Sequence, residues 1–252
     1  KNIIESQLTE LAAIRNPAAD ESYLKEAKNR LESDLEIDGF RYIFFPWCNS
    51  CIKMLRKSEF TELRTSRNMY KISPEELEKL SEKHIVVVGM SVGKAVAQVI
   101  CLERICGKIT LVDFDKLETT NMNRIMTSLN NIEEYKAVIA AREIAEFDPY
   151  IDVNIVLEGI SIENMGSVIG DTDKTDLIIE VCDSLEMKVR IREYCQKYKI
   201  PLIMDTSDRG MIDIERYDLH ENLPIFHGLL NDIDLVNIDF NDQFANAKLL
   251  SS

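Results

Sequence analysis

The chain is poor in basic residues and in histidine, and it lacks long apolar segments. Its 252 residues include 30 Lys and Arg against 44 Asp and Glu, with three His, which leaves a formal charge of −14. This balance argues against non-specific binding to nucleic acids or anionic membranes, because neutralising phosphate groups requires a basic surface. No apolar run approaches the length of a membrane-spanning helix, and no signal-peptide pattern precedes the first helix-like segment.

Cysteine is also sparse, and its pattern indicates neither a disulfide framework nor a zinc site. The six cysteines are scattered through apolar contexts, which is typical of a reduced compartment. Cys48 and Cys51 form a C-x-x-C pair, but no second pair has the spacing of a structural zinc site. A thioredoxin-like unit, which would favour a redox role, is not evident. We interpret both residues as reduced thiols beside an aromatic cluster and expect a cytoplasmic protein.

Three regions are predicted along the chain. Residues 1–62 form a small N-terminal α/β appendage, in which two amphipathic helices precede an aromatic strand at 40–47. Residues 63–220 form the main domain, and residues 221–252 form a C-terminal tail. The chain starts without Met and ends without an evident helix cap. We therefore expect a truncated sequence.

The main domain alternates strands and helices. The run Ile85–Val88 is continuously β-branched, which indicates a strand buried on both faces, as in a parallel sheet. The alternation that follows predicts a doubly wound, mostly parallel, Rossmann-like α/β sheet with helices on both faces. Gly107 is expected to cap the first of these helices. The expected elements are strands 84–89, 108–113, 151–157, 176–182, 200–205 and 211–217, the last antiparallel at the edge, and helices 93–105, 133–147, 161–169 and 185–198.

A glycine-rich turn joins the first strand of this domain to its first helix. Gly89 and Gly93 bracket the turn, and Ser91 occupies the place of the second glycine in the dinucleotide fingerprint G-x-G-x-x-G. Asp113 ends the next strand, where a carboxylate binds ribose, and Asp115 is a second candidate. The turn also spells G-x-S-x-G, the nucleophile elbow of serine hydrolases. The pattern predicts a nucleotide site, with a serine nucleophile as the alternative.

Further polar and charged residues follow the strands at the same edge of the predicted sheet. Asn121, Asn123 and Arg124 come after the acidic strand end, Lys136 opens a later helix, and Asp183 ends a later strand. Ligands bind at the carboxyl edge of open α/β sheets. Arginine and lysine at that edge suit a triphosphate. Asp183 suits a magnesium ion, which takes one or two carboxylates together with phosphate oxygens.

In this order, the motifs resemble those of the ThiF superfamily, which includes the ubiquitin-activating enzymes and the adenylating proteins of thiamine and molybdopterin synthesis. The resemblance covers roughly residues 64–217. Flanking segments are similar to those of a bacterial branch that has an N-terminal extension and sometimes a C-terminal nitroreductase-like domain. The matching motifs are Asp113-Phe114-Asp115, Asn121-Met122-Asn123-Arg124, Lys136-Ala137 and Asp183-Ser184, and the flanking segments are Phe45-Pro46-Trp47, Arg67-Asn68 and Thr206–Gly210.

The resemblance implies an adenylating enzyme that uses ATP and magnesium. A carboxylate, carried by a ubiquitin-like or sulfur-carrier tail or by a small acid, would attack the α-phosphate of ATP, and pyrophosphate would leave. Arg124 and Lys136 would steady the phosphates, and Asp183 would hold the magnesium ion. Arg67 would reach the ATP of the partner subunit in a homodimer. The residues implied in nucleotide binding are Gly89, Ser91, Gly93, Asp113, Asp115, Asn121 and Asn123.

Three departures from the family pattern leave alternatives open. The glycine turn is one residue shorter than the family's, the spacing from Arg124 to Lys136 is also short, and no catalytic cysteine follows Thr206. The first two departures favour a catalytically degenerate binding module as an alternative to the enzyme. The third favours adenylation without a thioester step. A smaller difference is the pair Asp148-Pro149, which stands where the family has Asn-Pro.

Two other classes of enzyme compete with this interpretation. An NAD-binding oxidoreductase would use Asp113 for the ribose, but no hydride-transfer set such as Y-x-x-x-K is evident in the sequence. A hydrolase would combine Ser91 with His227 and either Asp205 or Asp208. The hydrolase alternative leaves the motifs that follow Asp115 without a role.

Overall fold

A computed structural model of the chain describes residues 1–35, 38–170, 174–205, 211–220, 222–231 and 240. The contacts divide the chain into two compact units, Lys1–Glu78 and Lys79–Ser252. The segment Thr206–Gly210 and most of the predicted tail therefore lie outside the described residues. In the part of the chain that is described, no helix is long and apolar enough to cross a membrane.

The N-terminal unit packs helices against a two-stranded antiparallel hairpin. Leu8, Leu11 and Leu55 are fully buried in its core. The two predicted helices and the aromatic strand are present, whereas the second strand and the third helix were not predicted. The strand was missed because it shows no regular alternation of buried and exposed residues. The elements are α1 (Ile4–Arg15), α2 (Glu21–Leu35), β1 (Phe40–Phe45), β2 (Ser50–Leu55), α3 (Lys57–Thr65) and α4 (Pro74–Leu80), which crosses the boundary of the unit.

The second unit is a six-stranded sheet flanked by helices. Its strand order is β5-β4-β3-β6-β7-β8, in which β3 to β7 are parallel and β8 pairs antiparallel with β7. The doubly wound sheet and its antiparallel edge strand are therefore confirmed. The elements are β3 (His84–Val88), α5 (Gly93–Glu103), β4 (Lys108–Val112), α6 (Lys136–Phe147), β5 (Asp152–Val156), α7 (Met165–Ile169), β6 (Leu177–Glu180), α8 (Leu185–Tyr198), β7 (Leu202–Asp205) and β8 (Ile212–Glu215).

Strand β3 sits at the centre of the sheet and is buried on both faces. Ile85 and Val87 belong to one apolar cluster, and Val86 and Val88 belong to the other. Strands β4 and β5 follow on one side of β3, whereas β6 and β7 follow on the other. The chain connections diverge at this point, which opens a crevice at the carboxyl ends of β3 and β6.

The first helix of the sheet domain ends earlier than predicted, and the expected cap at Gly107 was wrong. Helix α5 ends at Glu103, and Arg104 caps it in the left-handed conformation with φ of 58°. Gly107 has a different role: a Cβ at this position would lie 1.7 Å from the carbonyl oxygen of Ser81. Glycine is needed there because the two backbone segments approach too closely for any side chain.

The side chain of Arg104 forms a buried ion pair with Asp148, the aspartate that stands where the pattern described above has asparagine. Arg104 Nε lies 2.9 Å from Asp148 Oδ2, and the two side chains are 4% and 0% exposed. The other oxygen of Asp148 accepts the backbone N–H of Tyr150 at 3.1 Å. An aspartate before Pro149 thus supplies the negative charge that a buried guanidinium requires.

We expect the substitution Asp148→Asn to lower the free energy of unfolding by about 3 kcal/mol, because it leaves the buried Arg104 guanidinium without a counter-charge. Equilibrium unfolding in urea measures the loss. The control is Asp152→Asn, the same chemical change at an exposed position of β5, which should alter stability by less than about 0.5 kcal/mol. Equal losses in the two variants would contradict the importance of the ion pair.

Candidate functional site

A cavity of about 410 Å³ opens at the carboxyl edge of the sheet. The ends of β3, β4 and β6 contribute Val88, Val112 and Val181 to its wall. This volume lies within the usual range for small-molecule sites. Most of the residues predicted to bind or act on the nucleotide line this cavity: Gly89, Ser91, Asp113, Asp115, Asn121, Arg124, Lys136 and Asp183.

The glycine turn is pressed against the end of β6. Gly89 has φ of +96°, and a Cβ there would lie 2.8 Å from the carbonyl oxygen of Val181. Gly93 opens α5, and a Cβ at this position would lie 2.7 Å from Cγ2 of Val181. Gly93 does not line the cavity and instead permits close packing of the helix on the sheet. Both glycines are therefore required by the backbone and by packing.

The carboxylate of Asp113 joins the ends of two strands. Its Oδ2 accepts the backbone N–H of Met90 at 2.5 Å, and its Oδ1 accepts the backbone N–H of Asp115 at 2.7 Å. The residue is 8% exposed. Burial raises the pKa of the Asp113 carboxyl above its ordinary value, although the two N–H bonds and the nearby Lys136 ammonium act in the opposite direction.

Lys136 and Asp115 form an ion pair at the rim of the cavity. Lys136 Nζ lies 2.8 Å from Asp115 Oδ2, and the lysine side chain is 7% exposed whereas the carboxylate is 53% exposed. The backbone N–H of Lys136, the first residue of α6, also donates to the carbonyl of Asp115. The ammonium is therefore held at the cavity by its own counter-ion.

Arg124 is anchored to the glycine turn. Its Nε donates to Ser91 Oγ at 2.7 Å, and its Nη1 donates to Asn123 Oδ1 at 2.9 Å. Asn123 does not line the cavity and acts here as a support for the guanidinium. Asn121 orders the preceding turn, since its Oδ1 accepts the backbone N–H of Glu118 at 3.0 Å.

These contacts differ from those of a hydrolase triad. The hydroxyl of Ser91 bonds to a guanidinium, whereas a nucleophile would bond to a histidine. His227 Nε2 lies 2.7 Å from Asp213 Oδ1 instead. Of the two candidate acids, Asp205 ends β7 and Asp208 lies outside the described residues.

Asp183 presents an exposed carboxylate to the cavity at the start of α8. The helix is capped by the neighbouring Ser184, whose Oγ accepts the backbone N–H of Met187 at 3.3 Å. No group of three or more metal-binding side chains occurs within the described ranges. Asp183 could supply a carboxylate to a magnesium ion that is bound together with a nucleotide, since this ion takes one or two carboxylates together with phosphate oxygens.

Some residues of the cavity were not predicted as site residues. Phe114 is 67% exposed beside Asp113, and Lys116, Glu118 and Ile160 also line the wall. Their sequence signal was weak, because a single charged or apolar residue in a loop has many surface explanations. Phe114 was the most visible of them, as an aromatic residue between two acidic ones.

Lys94, the second residue of α5, is engaged away from the cavity. Its Nζ lies 2.5 Å from Glu143 Oε2 and donates to the carbonyl of Met126 at 2.6 Å, and its side chain is 3% exposed. Lys94 therefore ties α5 to the loop that follows Arg124. Arg67, by contrast, lies exposed in the 3₁₀ turn Ser66–Asn68 of the N-terminal unit, and its role stays a prediction.

Curated proteins of bacteria are similar to this chain in sequence. An uncharacterized protein of Mycobacterium tuberculosis is 40% identical over 227 residues, which are 89% of this chain and 30% of that protein. The molybdopterin-synthase adenylyltransferase of Haemophilus influenzae is 24% identical, over 70% of this chain and 72% of that protein. The chain spans 30% to 54% of the length of the curated relatives that it matches first.

A solved structure and a family model complete the comparison. The crystal structure of the Escherichia coli tRNA threonylcarbamoyladenosine dehydratase in complex with AMP is 27% identical, with a TM-score of 0.57 over 63% of this chain and 64% of that chain. The model of the ThiF family matches residues 65–242, which include the whole of the sheet and the cavity described above. The chain belongs to the ThiF family.

Proposed function

We propose that this protein adenylates a carboxylate at the expense of ATP and releases pyrophosphate. The observation that carries the proposal is the convergence of Asp113, Arg124, Lys136 and Asp183 on one cavity at the carboxyl edge of the sheet. The family, the adenylyltransferase among the relatives and the AMP complex of a structural neighbour support it. The arrangement of these residues and the adenylyltransferase among the relatives both favour a nucleotide whose α-phosphate reacts.

The nucleoside would lie along the wall formed by the end of β4. Asp113 would accept a ribose hydroxyl with the lone pairs that its two backbone bonds leave available. Phe114 and Ile160 offer apolar surface to the base. Helix α5 begins at Gly93, directly after the glycine turn, and the N-terminus of a helix favours phosphate.

The charges in the cavity explain why a divalent cation would be needed. The carboxylates of Asp113, Asp115, Glu118 and Asp183 line it together with the cations of Lys116, Arg124 and Lys136. A triphosphate would therefore meet no net positive charge from these side chains. Asp183 would hold a magnesium ion, and the positive charge of this ion would offset the repulsion between the triphosphate and the carboxylates.

The reaction itself needs positioning and charge stabilisation. A carboxylate oxygen of the substrate attacks the α-phosphorus, the bond from this phosphorus to the β-bridging oxygen breaks, and the electron pair leaves with pyrophosphate. Arg124 and Lys136 would stabilise the charge that develops on the phosphate oxygens. The substrate that we propose is a protein tail or a small acid. Assays of ATP–pyrophosphate exchange with a series of such carboxylates would identify it.

A thioester step does not follow from the cysteines near the cavity. Burial, together with the carboxylate of Glu180, raises the pKa of the Cys182 thiol to about 12. Burial also raises the pKa of Cys195, which is fully buried. Thiols held in the protonated form are poor nucleophiles. Adenylation without transfer to sulfur is therefore the form of the reaction that we propose.

We expect Arg124→Ala and Asp183→Ala each to slow ATP–pyrophosphate exchange by about 100-fold or more, because each removes a charge that faces the reacting phosphates. Arg216→Ala is the matched control, since Arg216 is exposed, pairs with Asp218 and lies outside the cavity. The same exchange rate in all three variants would contradict the assignment. ATP binding without exchange on any carboxylate would favour the degenerate module, and tight NAD binding without ATP binding would favour an oxidoreductase.

We expect ATP affinity to fall as the pH is lowered through the pKa of Asp113, because the protonated carboxyl is a weaker acceptor for the ribose hydroxyl. Since burial raises this pKa, the loss should begin at a higher pH than for an ordinary aspartate. Isothermal titration calorimetry over a pH series measures the effect. Asp113→Asn should bind ATP more weakly and should lack this pH dependence, and an unchanged pH profile in the variant would contradict the role.

We expect Arg67→Ala and Arg124→Ala to complement each other when mixed, if Arg67 serves the partner subunit of a homodimer. Each variant alone has no complete site. In a mixed dimer, the subunit with Arg67→Ala keeps its own Arg124 and receives Arg67 from its partner, so its site is complete. The other site then lacks both arginines. The measurement is ATP–pyrophosphate exchange after the variants are mixed and allowed to re-associate. Failure to recover activity, with mixed dimers shown by mass spectrometry, would contradict the shared site.

A further inference from the structure

A buried ion cluster, formed by Glu180, Arg192, Asp213 and Glu215, lies behind the wall of the cavity. Glu180, Arg192 and Glu215 have no exposed surface. Arg192 Nη1 lies 3.1 Å from Glu180 Oε2, and its Nε lies 2.6 Å from Glu215 Oε2. Its Nη2 lies 3.7 Å from Asp213 Oδ2. The guanidinium of Arg192, carried by the middle of α8, thus joins the end of β6 to the edge strand β8.

Stability alone is a poor explanation for such a cluster. Burying several charges carries a large desolvation penalty, and apolar residues of similar volume often serve stability as well or better. Arg192 also stacks on the ring of Phe226, with the guanidinium carbon 3.8 Å from the ring centre. The ion cluster therefore specifies one arrangement of the segments that meet there.

The first of these segments is the loop that carries Asp183. Glu180 Oε1 accepts the backbone N–H of Cys182 at 3.0 Å, and Lys188 Nζ lies 2.9 Å from the same oxygen. The loop between Glu180 and α8 is thereby bonded to a residue that cannot move without breaking two ion pairs. Asp183 is the next residue of that loop and lines the cavity.

The second segment follows β8. Glu215 Oε1 accepts the hydroxyl of Tyr217 and the backbone N–H of Phe226, both at 2.6 Å. Phe226 belongs to the 3₁₀ turn Ile225–Gly228 and has φ of 49°. A bulky residue in this conformation is uncommon and needs support from its surroundings. The bonds to the ion cluster supply that support.

We propose that Glu180 is a positioning residue that holds Asp183 toward the magnesium–nucleotide complex, and that Arg192 couples this loop to β8 and the turn Ile225–Gly228. The proposal rests on the proposed function in one respect, which is that Asp183 holds magnesium. Glu180 itself lies outside the lining of the cavity. It acts through the backbone of Cys182, in the way that residues behind a metal ligand orient the ligand.

The test is the substitution Glu180→Gln, which keeps the size of the side chain and removes the charge that faces Arg192 and Lys188. Hydrogen exchange of the amides of Cys182 and Asp183, measured without nucleotide, should become faster. The magnesium concentration for half-maximal ATP binding should rise about tenfold. ATP binding in the absence of metal should stay unchanged, because the loop would then contribute little.

The control is Asp148→Asn, which removes the charge of an equally buried carboxylate in the same unit but from the pair with Arg104. It should lower stability without changing exchange at residues 181–184 or the magnesium dependence. Should Glu180→Gln fail to fold, Lys188→Met is the second variant, because it removes the cation that holds Glu180 Oε1, the acceptor of the Cys182 N–H. Lys188 is 18% exposed, and its loss leaves Arg192 paired with Glu180. Amide hydrogen exchange and the magnesium dependence should shift in the same direction as in Glu180→Gln, and unchanged values would overturn the positioning role.

The outcomes separate the two proposals. Equal exchange at residues 181–184 in Glu180→Gln and in Asp148→Asn would overturn the positioning role. A wild-type protein that binds no ATP would overturn the proposed function. The measurement of amide hydrogen exchange would still decide whether Glu180 holds the loop. Faster exchange together with an unchanged magnesium dependence would overturn the link from the loop to the metal.

Discussion

The carboxylate of Asp113 is the interaction on which the site depends. It is buried at the end of β4, accepts the N–H of Met90 in the glycine turn, and accepts the N–H of Asp115 in the loop that follows. Burying a carboxylate is costly, and the two charge-assisted bonds offset much of that cost. The glycine turn is thereby tied to β4. Ser91, which belongs to this turn, anchors Arg124 through its hydroxyl.

The opposite wall of the cavity is set by close packing. Because Gly89 and Gly93 carry no side chains, Val181 at the end of β6 can lie directly against the turn. This contact brings the loop that carries Asp183 to the same cavity as Asp113. Behind it, Glu180 holds that loop from within the ion cluster around Arg192. Hydrogen bonds shape one wall and packing together with buried charge shapes the other.

Much of the fold was predictable, and the reasons are local. Continuous β-branched runs indicated the central strands, and the alternation with amphipathic helices indicated the doubly wound sheet. Gly107 was misassigned as a cap because a glycine after a helix is usually one, whereas its real constraint is the approach of Ser81, which is distant in sequence. Strand β2 was missed because its pattern of exposure is irregular. Lys94 gave no sign of its pairing with Glu143.

The sequence by itself determined the order of the elements and therefore which residues reach the carboxyl edge of the sheet. Asp113, Arg124 and Asp183 each follow a strand, and parallel strands bring such positions together whatever their separation along the chain. Only the tertiary structure decided which partner each side chain takes. Ser91 with Arg124 and Arg192 with Glu215 are pairs of this kind. Such pairs depend on strand order, on register and on the path of the loops, none of which is expressed in local periodicity.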